Sequence, residues 1–429
     1  MRGSSRRARS LVVTALVLSS LLGLTNWIYT RSLLERRLNQ SLQSRTNRSF
    51  VLEHASLAEA MESYPGVWPP AYPMGLRTAS ELGFPLRRVN QLLFYVGLGW
   101  IFWWLRRNIA EIHWGWPLLF FCLAAFHYEV MSQLVPENLF VPLALFFFSA
   151  TMRYSERRSS TALAELSLLC AAACATKYIG LFWLLPIGTM QILLTGPAER
   201  RTRLLHLAAF VLASVLPVGV WMGYQYDKTG FLTGIDRFEA KAEAAANADL
   251  TTFGANVSFT VKSVVLDFFS ISRSADHTTI NHPYQPDWAL YAFAGLIAGI
   301  VLANRQGIRR WVGSAPDRAG AWWRDPCHEL RRSHFSSTWV MGGLVATYKV
   351  VLIALWTVGN NDPIYSRFVY PTYPFLVLLG FTGYARVRAS GELSAWARAS
   401  FWVFYGLLLL VHVYKTVILQ HVVHTPAWS

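Results

Sequence analysis

Apolar residues fall along this chain in long blocks separated by short polar stretches. Most blocks approach the roughly 20 residues that a helix needs to cross a bilayer. They predict about eleven transmembrane helices, at approximately 10–30, 89–105, 113–128, 135–152, 161–176, 178–195, 204–225, 288–304, 337–358, 367–385 and 400–419. The expected fold is an all-α polytopic membrane protein with a single membrane domain over 1–429. Two stretches between spans are long, 31–88 and 226–287, and a third, 305–336, is rich in arginine. In the first of them, Phe50 to Glu62 alternate apolar and acidic residues at helical spacing, which predicts an amphipathic helix on the membrane surface. The stretch Trp68-Pro69-Pro70-Ala71-Tyr72-Pro73 follows. Proline lacks the amide N–H and fixes φ, so this stretch excludes a helix interior. Irregular backbone near a bilayer is tolerated where protein or water shields it, and the stretch is expected to floor a cavity at the membrane face.

Composition agrees with the pattern. Of 429 residues, 53% are hydrophobic and 15% charged, where a soluble chain carries about a quarter charged. The net charge of +15 would suggest a nucleic-acid partner in a soluble protein. Here the arginines collect in alternate inter-span stretches: at Arg2 to Arg9, Arg106 and Arg107, Arg153 to Arg158, Arg200 to Arg203, Arg305 to Arg332 and Arg386 to Arg398. That is the positive-inside pattern, so the N-terminus is expected in the cytoplasm and no nucleic acid is implied. Arg2 to Arg9 followed by the apolar run from Leu11 reads as a signal anchor retained as the first span. The basic loop 305–336, with Trp311, Trp322 and Trp323, is expected to rest on anionic lipid headgroups. Three of the four cysteines lie in apolar blocks, which implies no disulfide framework. His277 and His282 lack the spacing of a closed metal site, so no metal or other cofactor is indicated.

Charged side chains in or near membrane spans are costly and therefore mark candidate sites. Glu129 follows the third block, Glu137 opens the fourth, Lys177 sits in the tight corner Ala175-Thr176-Lys177-Tyr178-Ile179-Gly180, and Arg367 precedes the tenth. All four map to the outer face, with the proline stretch. A single such residue is ordinary snorkelling or a helix-end pair; two acids and two cations on one face point to a site. Lys349, mid-block, either pairs with one of these acids or snorkels. Arginine and lysine can neutralise a phosphate leaving group, and a carboxylate can take the proton of an acceptor hydroxyl. The set suits group transfer from a phosphate-linked donor.

These residues resemble a family. The Trp68 to Pro73 stretch is similar to the proline motif closing the first outer loop of bacterial GT-C glycosyltransferases, the polyprenyl-phosphate-sugar-dependent enzymes related to protein mannosyltransferases and aminoarabinose transferases. Pro136-Glu137-Asn138-Leu139-Phe140 resembles their Ser-Glu-x-Leu-Phe segment. Thr176-Lys177-Tyr178-Ile179-Gly180 resembles their Arg-Tyr-x-Gly corner, with lysine replacing arginine. Ser366-Arg367-Phe368-Val369-Tyr370-Pro371-Thr372-Tyr373-Pro374 resembles their Ser-Arg-Tyr-x-x-Pro-x-x-Pro segment. The four keep the family's order from 68 to 374. The resemblance implies a GT-C-like bundle with surface helices in the first outer loop, a polyprenyl-phosphate-linked sugar as donor, and a lipid or glycan acceptor. Lys177 and Arg367 would bind the donor phosphate, while Trp68, Tyr72, Glu129, Glu137 and Tyr178 would shape the substrate pocket.

The family's base is an Asp in the first outer loop, and this chain has no Asp before Asp227. Glu53, in Leu52-Glu53-His54-Ala55-Ser56-Leu57-Ala58, takes that place as the expected catalytic acid; Glu59 and Glu62 are expected on the helix's solvated face. The expected activity is inverting sugar transfer at the outer face of a bacterial inner membrane. Two alternatives stand beside it: a transporter or flippase of a lipid-linked or anionic substrate, and a non-catalytic GT-C-like assembly subunit. The first predicts internal repeats with paired broken helices, which the sequence does not show; the missing Asp supports the second.

Overall fold

The computed structural model describes residues 2–31, 42–66, 68–109, 112–131, 133–197, 199–233, 336–359, 370–389 and 394–414, with 254, 294, 295, 298 and 416. Every regular element among them is a helix. The stretches 234–253, 301–335 and 360–369 lie outside the described residues. They include most of the second long inter-span stretch, the basic loop and Arg367; the block at 288–304 is likewise almost wholly outside them.

In chain order the helices are α1 (Arg2–Arg31), α2 (Leu42–Leu52), α3 (Leu57–Ser63), α4 (Ala71–Glu81), α5 (Leu86–Asn108), α6 (Gly115–Leu123), α7 (Ala125–Met131) and α8 (Glu137–Arg157). There follow α9 (Ser160–Thr176), α10 (Ile179–Thr195), α11 (Arg200–Thr229), α12 (Ser336–Gly359), a single 3₁₀ turn at Tyr370–Thr372, α13 (Tyr373–Ala389) and α14 (Ala395–Val413). Among the described residues, three stretches are long and apolar enough to cross a membrane: α11, with mean hydropathy 2.1, and Ser337–Ala354 and Ala395–Val413, each with 1.4. Leu205, Leu212, Leu216 and Val220 on α11 are exposed, as expected of a side that faces lipid rather than water. The described residues are thus all-helical, with helices fit to cross a membrane.

The bundle packs α9 against α8, α10 and α11, α5 against α8, and α12 against α10 and α13. Polar ties cross this apolar core where an indole N–H would otherwise be orphaned. Trp183 on α10 donates to the Leu344 carbonyl on α12 at 2.7 Å, and Trp100 on α5 donates to Ser149 on α8 at 2.8 Å. Such bonds locate helices that apolar packing alone would leave free to slide.

Three expectations are corrected. The single span at 113–128 is two helices, α6 and α7, broken at Ala124, which is extended (φ −66°, ψ 122°). The break survives because its freed carbonyls find hydroxyls: Tyr128 donates to Cys122 O at 2.5 Å and Thr416 to Leu123 O at 2.8 Å. The amphipathic helix at 50–62 is likewise two pieces, α2 and α3, separated at Glu53–Ser56. Here the buried Arg77 of α4 donates to the carbonyls of Phe50 (3.3 Å) and His54 (3.3 Å), and Ser56 restarts the chain as an N-cap. A guanidinium placed at the last carbonyls of α2 also opposes the negative end of the helix dipole. The proline stretch, finally, is not irregular throughout. Pro70 is the N-cap of α4, and Pro73 lies in its first turn, where the missing N–H costs nothing.

Residues 42–81 lie across one end of the bundle and bury a second, smaller core of Phe50, Val51, Ala60, Tyr64, Tyr72, Leu76, Leu134 and Trp221. They are fastened there by Asn47, whose amide donates to Leu134 O at 2.7 Å, and by Lys228 at the end of α11, which donates to Glu62 O. Gly66 closes this layer with φ +70°, and a Cβ built on it would stand 2.2 Å from Oε1 of the fully buried Gln225. Gly66→Ala is therefore expected to destabilise the fold by about 1–3 kcal/mol through the left-handed backbone and the displaced amide. Thermal unfolding of the detergent-solubilised protein checks this, with Gly83→Ala (φ +82°, no neighbour within 4 Å) as the control for backbone strain alone.

Candidate functional site

The site is built where the layer 42–81 meets the helix ends. Glu137 opens α8 in its first turn, where a carboxylate is favoured by the helix dipole. The loop before it is gripped by asparagine amides. Asn90 on α5 donates to Met131 O (3.1 Å) and Gln133 O (2.9 Å), and Asn138 donates to Val130 O (3.1 Å), Gln133 O (2.9 Å) and Val135 O (3.1 Å). With Asn47 on Leu134 O, residues of three helices hold the carbonyls of one short loop, so the start of α8 cannot wander.

Lys177 ends α9 as an extended residue (φ −153°, ψ 125°) before α10 begins. The corner is tight: a Cβ on Gly180 would lie 3.1 Å from the Cys174 backbone. This turn swings Lys177 Nζ to 2.7 Å from Glu137 Oε1. The carboxylate is fully buried and the lysine side chain is 13% exposed. Two charges taken this far from water are stabilised by their direct contact with each other. The next residue, Tyr178, donates to Gly66 O at 3.0 Å and accepts from Trp221 Nε1 at 2.9 Å. Trp221 packs on Tyr64, ring centroids 6.1 Å apart.

Tyr64 leads to an open cavity of about 870 Å³. Its walls are Arg45, Arg48, Ser49, Phe50 and Leu52 of α2, then Glu53 and His54, and Ser63 to Pro65. Glu53 is exposed and accepts from Ser49 Oγ at 2.6 Å. His54 Nε2 meets Ser63 Oγ at 2.8 Å, and Nδ1 lies 3.8 Å from Glu59. Burial pushes the Tyr64 phenol well up, so this wall stays neutral.

The residues singled out in the sequence separate into groups. Glu137, Lys177 and Tyr178 come together in one constellation, and Glu53 lines the cavity that Tyr64 and Trp221 join to it. Glu53 does not head a surface helix; it follows the last turn of α2, its amide bonded to Ser49 O at 2.9 Å. Tyr72 is not among the walls of this cavity. It is buried and donates to Asn90 Oδ1 at 2.7 Å, which aims the Asn90 amide at the loop before Glu137. Trp68 is half-buried and is not among the cavity walls. Glu129 belongs to α7, its side chain outside the described residues, as is the whole of Arg367. Lys349 does not snorkel: its ammonium is buried 6.0 Å from the Tyr373 ring centroid, a cation–π distance.

Sequence reasoning missed Arg45, Arg48, Arg77 and the three asparagines. Glu59 is exposed, as expected, and it also caps its own helix. Its carboxylate accepts from Ala55 N at 2.9 Å while its own amide donates to Ser56 Oγ at 3.2 Å. That reciprocal cap was legible as Ser56-Leu57-Ala58-Glu59, a serine followed three residues later by a glutamate. Among the described residues no group of three or more His, Cys, Asp or Glu side chains is placed to hold a metal ion. A scan against protein-family models and a search of curated proteins each returned no match.

Two predictions follow from this geometry. Glu137→Gln or Lys177→Met alone strands a buried charge and is expected to cost about 3–5 kcal/mol, whereas the double variant recovers most of that loss. Denaturant unfolding of all four proteins in one detergent reads the coupling, and additive single effects would contradict it. The Ala55 amide, first, and His54 hold the Glu59 carboxyl below its ordinary 4.5. A depressed folded-state value means that its stabilisation of α3 is complete above about pH 4.5 and fades as pH falls through the lower value. Protection of the α3 amides, taken relative to their intrinsic exchange rates, is expected to fall in that acid window, and Glu59→Gln to abolish that fall.

Proposed function

We propose that this protein is a GT-C-like glycosyltransferase, a bundle of about eleven spans that moves a sugar from a polyprenyl-phosphate donor to a lipid or glycan acceptor at the extracytoplasmic face. The observation that carries the reading is that Glu53 opens onto the 870 Å³ cavity while Tyr64, Trp221 and Tyr178 lead from that cavity to Lys177. A carboxylate and a cation thus stand at two ends of one contiguous stretch of protein. The order of the four motifs between 68 and 374 supports the same reading.

In this mechanism Glu53 takes the proton of the acceptor hydroxyl. The acceptor oxygen then bonds to the anomeric carbon, and the bond from that carbon to the donor phosphate breaks with its electron pair on the phosphate oxygen. Lys177, with Arg367 as the family resemblance implies, answers the charge that develops there. Glu137 is a positioning residue that sets where the Lys177 ammonium stands. Serine 49 orients Glu53 through the 2.6 Å bond.

The test is product analysis of envelope lipids and glycans in a deletion strain complemented with wild type, Glu53→Gln or Arg367→Ala. Loss of the base is expected to lower transfer by roughly 10²–10⁴-fold. Full transfer by both variants would remove the mechanism. Export of an unmodified lipid-linked substrate, without sugar transfer, would favour the transporter.

A further inference from the structure

We infer that the cavity at Glu53 takes an anionic acceptor, one whose hydroxyl sits beside a phosphate, as in a polyol phosphate headgroup. The role of Glu53 rests on the glycosyl-transfer reading, but the binding of such a group does not. Arg45 and Arg48 lie three residues apart on α2, so their side chains leave the same face of the helix. Both are exposed and both are cavity walls. Arg45 makes no ion pair among the described residues. Among the described lining residues Glu53 is the one acid, beside two guanidiniums. An uncharged acceptor would leave their charge unanswered. A phosphate would engage their paired N–H donors in fork geometry, and they would offset its repulsion by the base.

The direction of displacement decides which substrate carries the anion. In an inverting transfer the attacking hydroxyl and the leaving phosphate stand on opposite sides of the anomeric carbon. Glu53 must be on the hydroxyl side, because it takes that proton. A phosphate held by the arginines that share this cavity with Glu53 is therefore assigned to the acceptor and not to the leaving group. The cavity's volume falls within the roughly 300–1,000 Å³ of small-molecule sites, room enough for a headgroup with the sugar it receives. The step balances as before: the acceptor's proton goes to Glu53, its oxygen bonds to the sugar, and the electron pair of the broken bond leaves on the donor phosphate.

The experiment uses the full chain in phosphatidylcholine nanodiscs. Short-chain phosphatidylglycerol, a hydroxyl-bearing phosphodiester lipid, and soluble glycerol 3-phosphate are titrated separately by native mass spectrometry and calorimetry. At least one is expected to bind, and Arg45→Gln/Arg48→Gln to weaken it at least tenfold, with Arg45→Lys/Arg48→Lys recovering part. Glu53→Gln is expected to leave binding equal or tighter. Saturation by the lipid alone assigns a headgroup; equal binding of glycerol 3-phosphate assigns a soluble polyol phosphate. If the double variant fails to fold by thermal melting, the exposed single change Arg45→Glu carries the same comparison. Failure of both ligands to bind, or binding indifferent to the arginine changes, overturns the inference. Binding without any sugar transfer keeps the site and removes the glycosyl-transfer reading. Transfer that ignores both arginines does the reverse.

Discussion

A carboxylate and an ammonium buried against each other at the end of the bundle set the terms for everything around them. Glu137 has no exposed surface and Lys177 little, so neither can fall back on water. The pair holds its charge only if the first turn of α8 and the corner between α9 and α10 stay in register. Much of the surrounding polar architecture enforces that register. Asn47, Asn90 and Asn138 hold the loop leading into α8, Tyr72 aims Asn90, and Tyr178 pins the corner to Gly66. Apolar packing between helices is tolerant of small slides; this set of directional bonds is not.

The same constraint links the layer 42–81 to the bundle. Its underside carries Phe50, Tyr64 and Tyr72 into the small core that Trp221 and Leu134 complete, and its upper side opens as the cavity. Arg77 keeps the two sides distinct by ending α2 where it does. Had α2 continued through Ser56, Glu53 would lie mid-helix on whichever side the 3.6-residue period gave it. The break places it instead among the cavity walls, with Arg45, Arg48 and His54. Local chain interruption is thus what gives this layer a shaped opening.

Helix positions and the membrane character were readable because both follow from local quantities. Run length, hydropathy and the capping residues near each block act over a few residues, and α5, α8, α9, α10 and α11 begin and end close to where the apolar blocks do. Costly charges near blocks also singled out Glu137 and Lys177, which the fold brings to 2.7 Å of each other. The capping box at Ser56 and Glu59 was equally local.

What lay beyond the sequence was which partner each group takes. The pairing of Glu137 with Lys177, forty residues away, and the capture of the Cys122 and Leu123 carbonyls by Tyr128 and Thr416 depend on how helices distant in the chain are brought side by side. Tyr72 reads as a pocket residue from its proline-rich setting, and only the approach of α5 makes it a support for Asn90. Periodicity and composition determined that this chain carries helices fit to cross a membrane. The tertiary structure alone decided which charges are spent on each other and which are left facing an open cavity, because a hydrogen bond or ion pair is fixed by distance in space and not by distance along the chain.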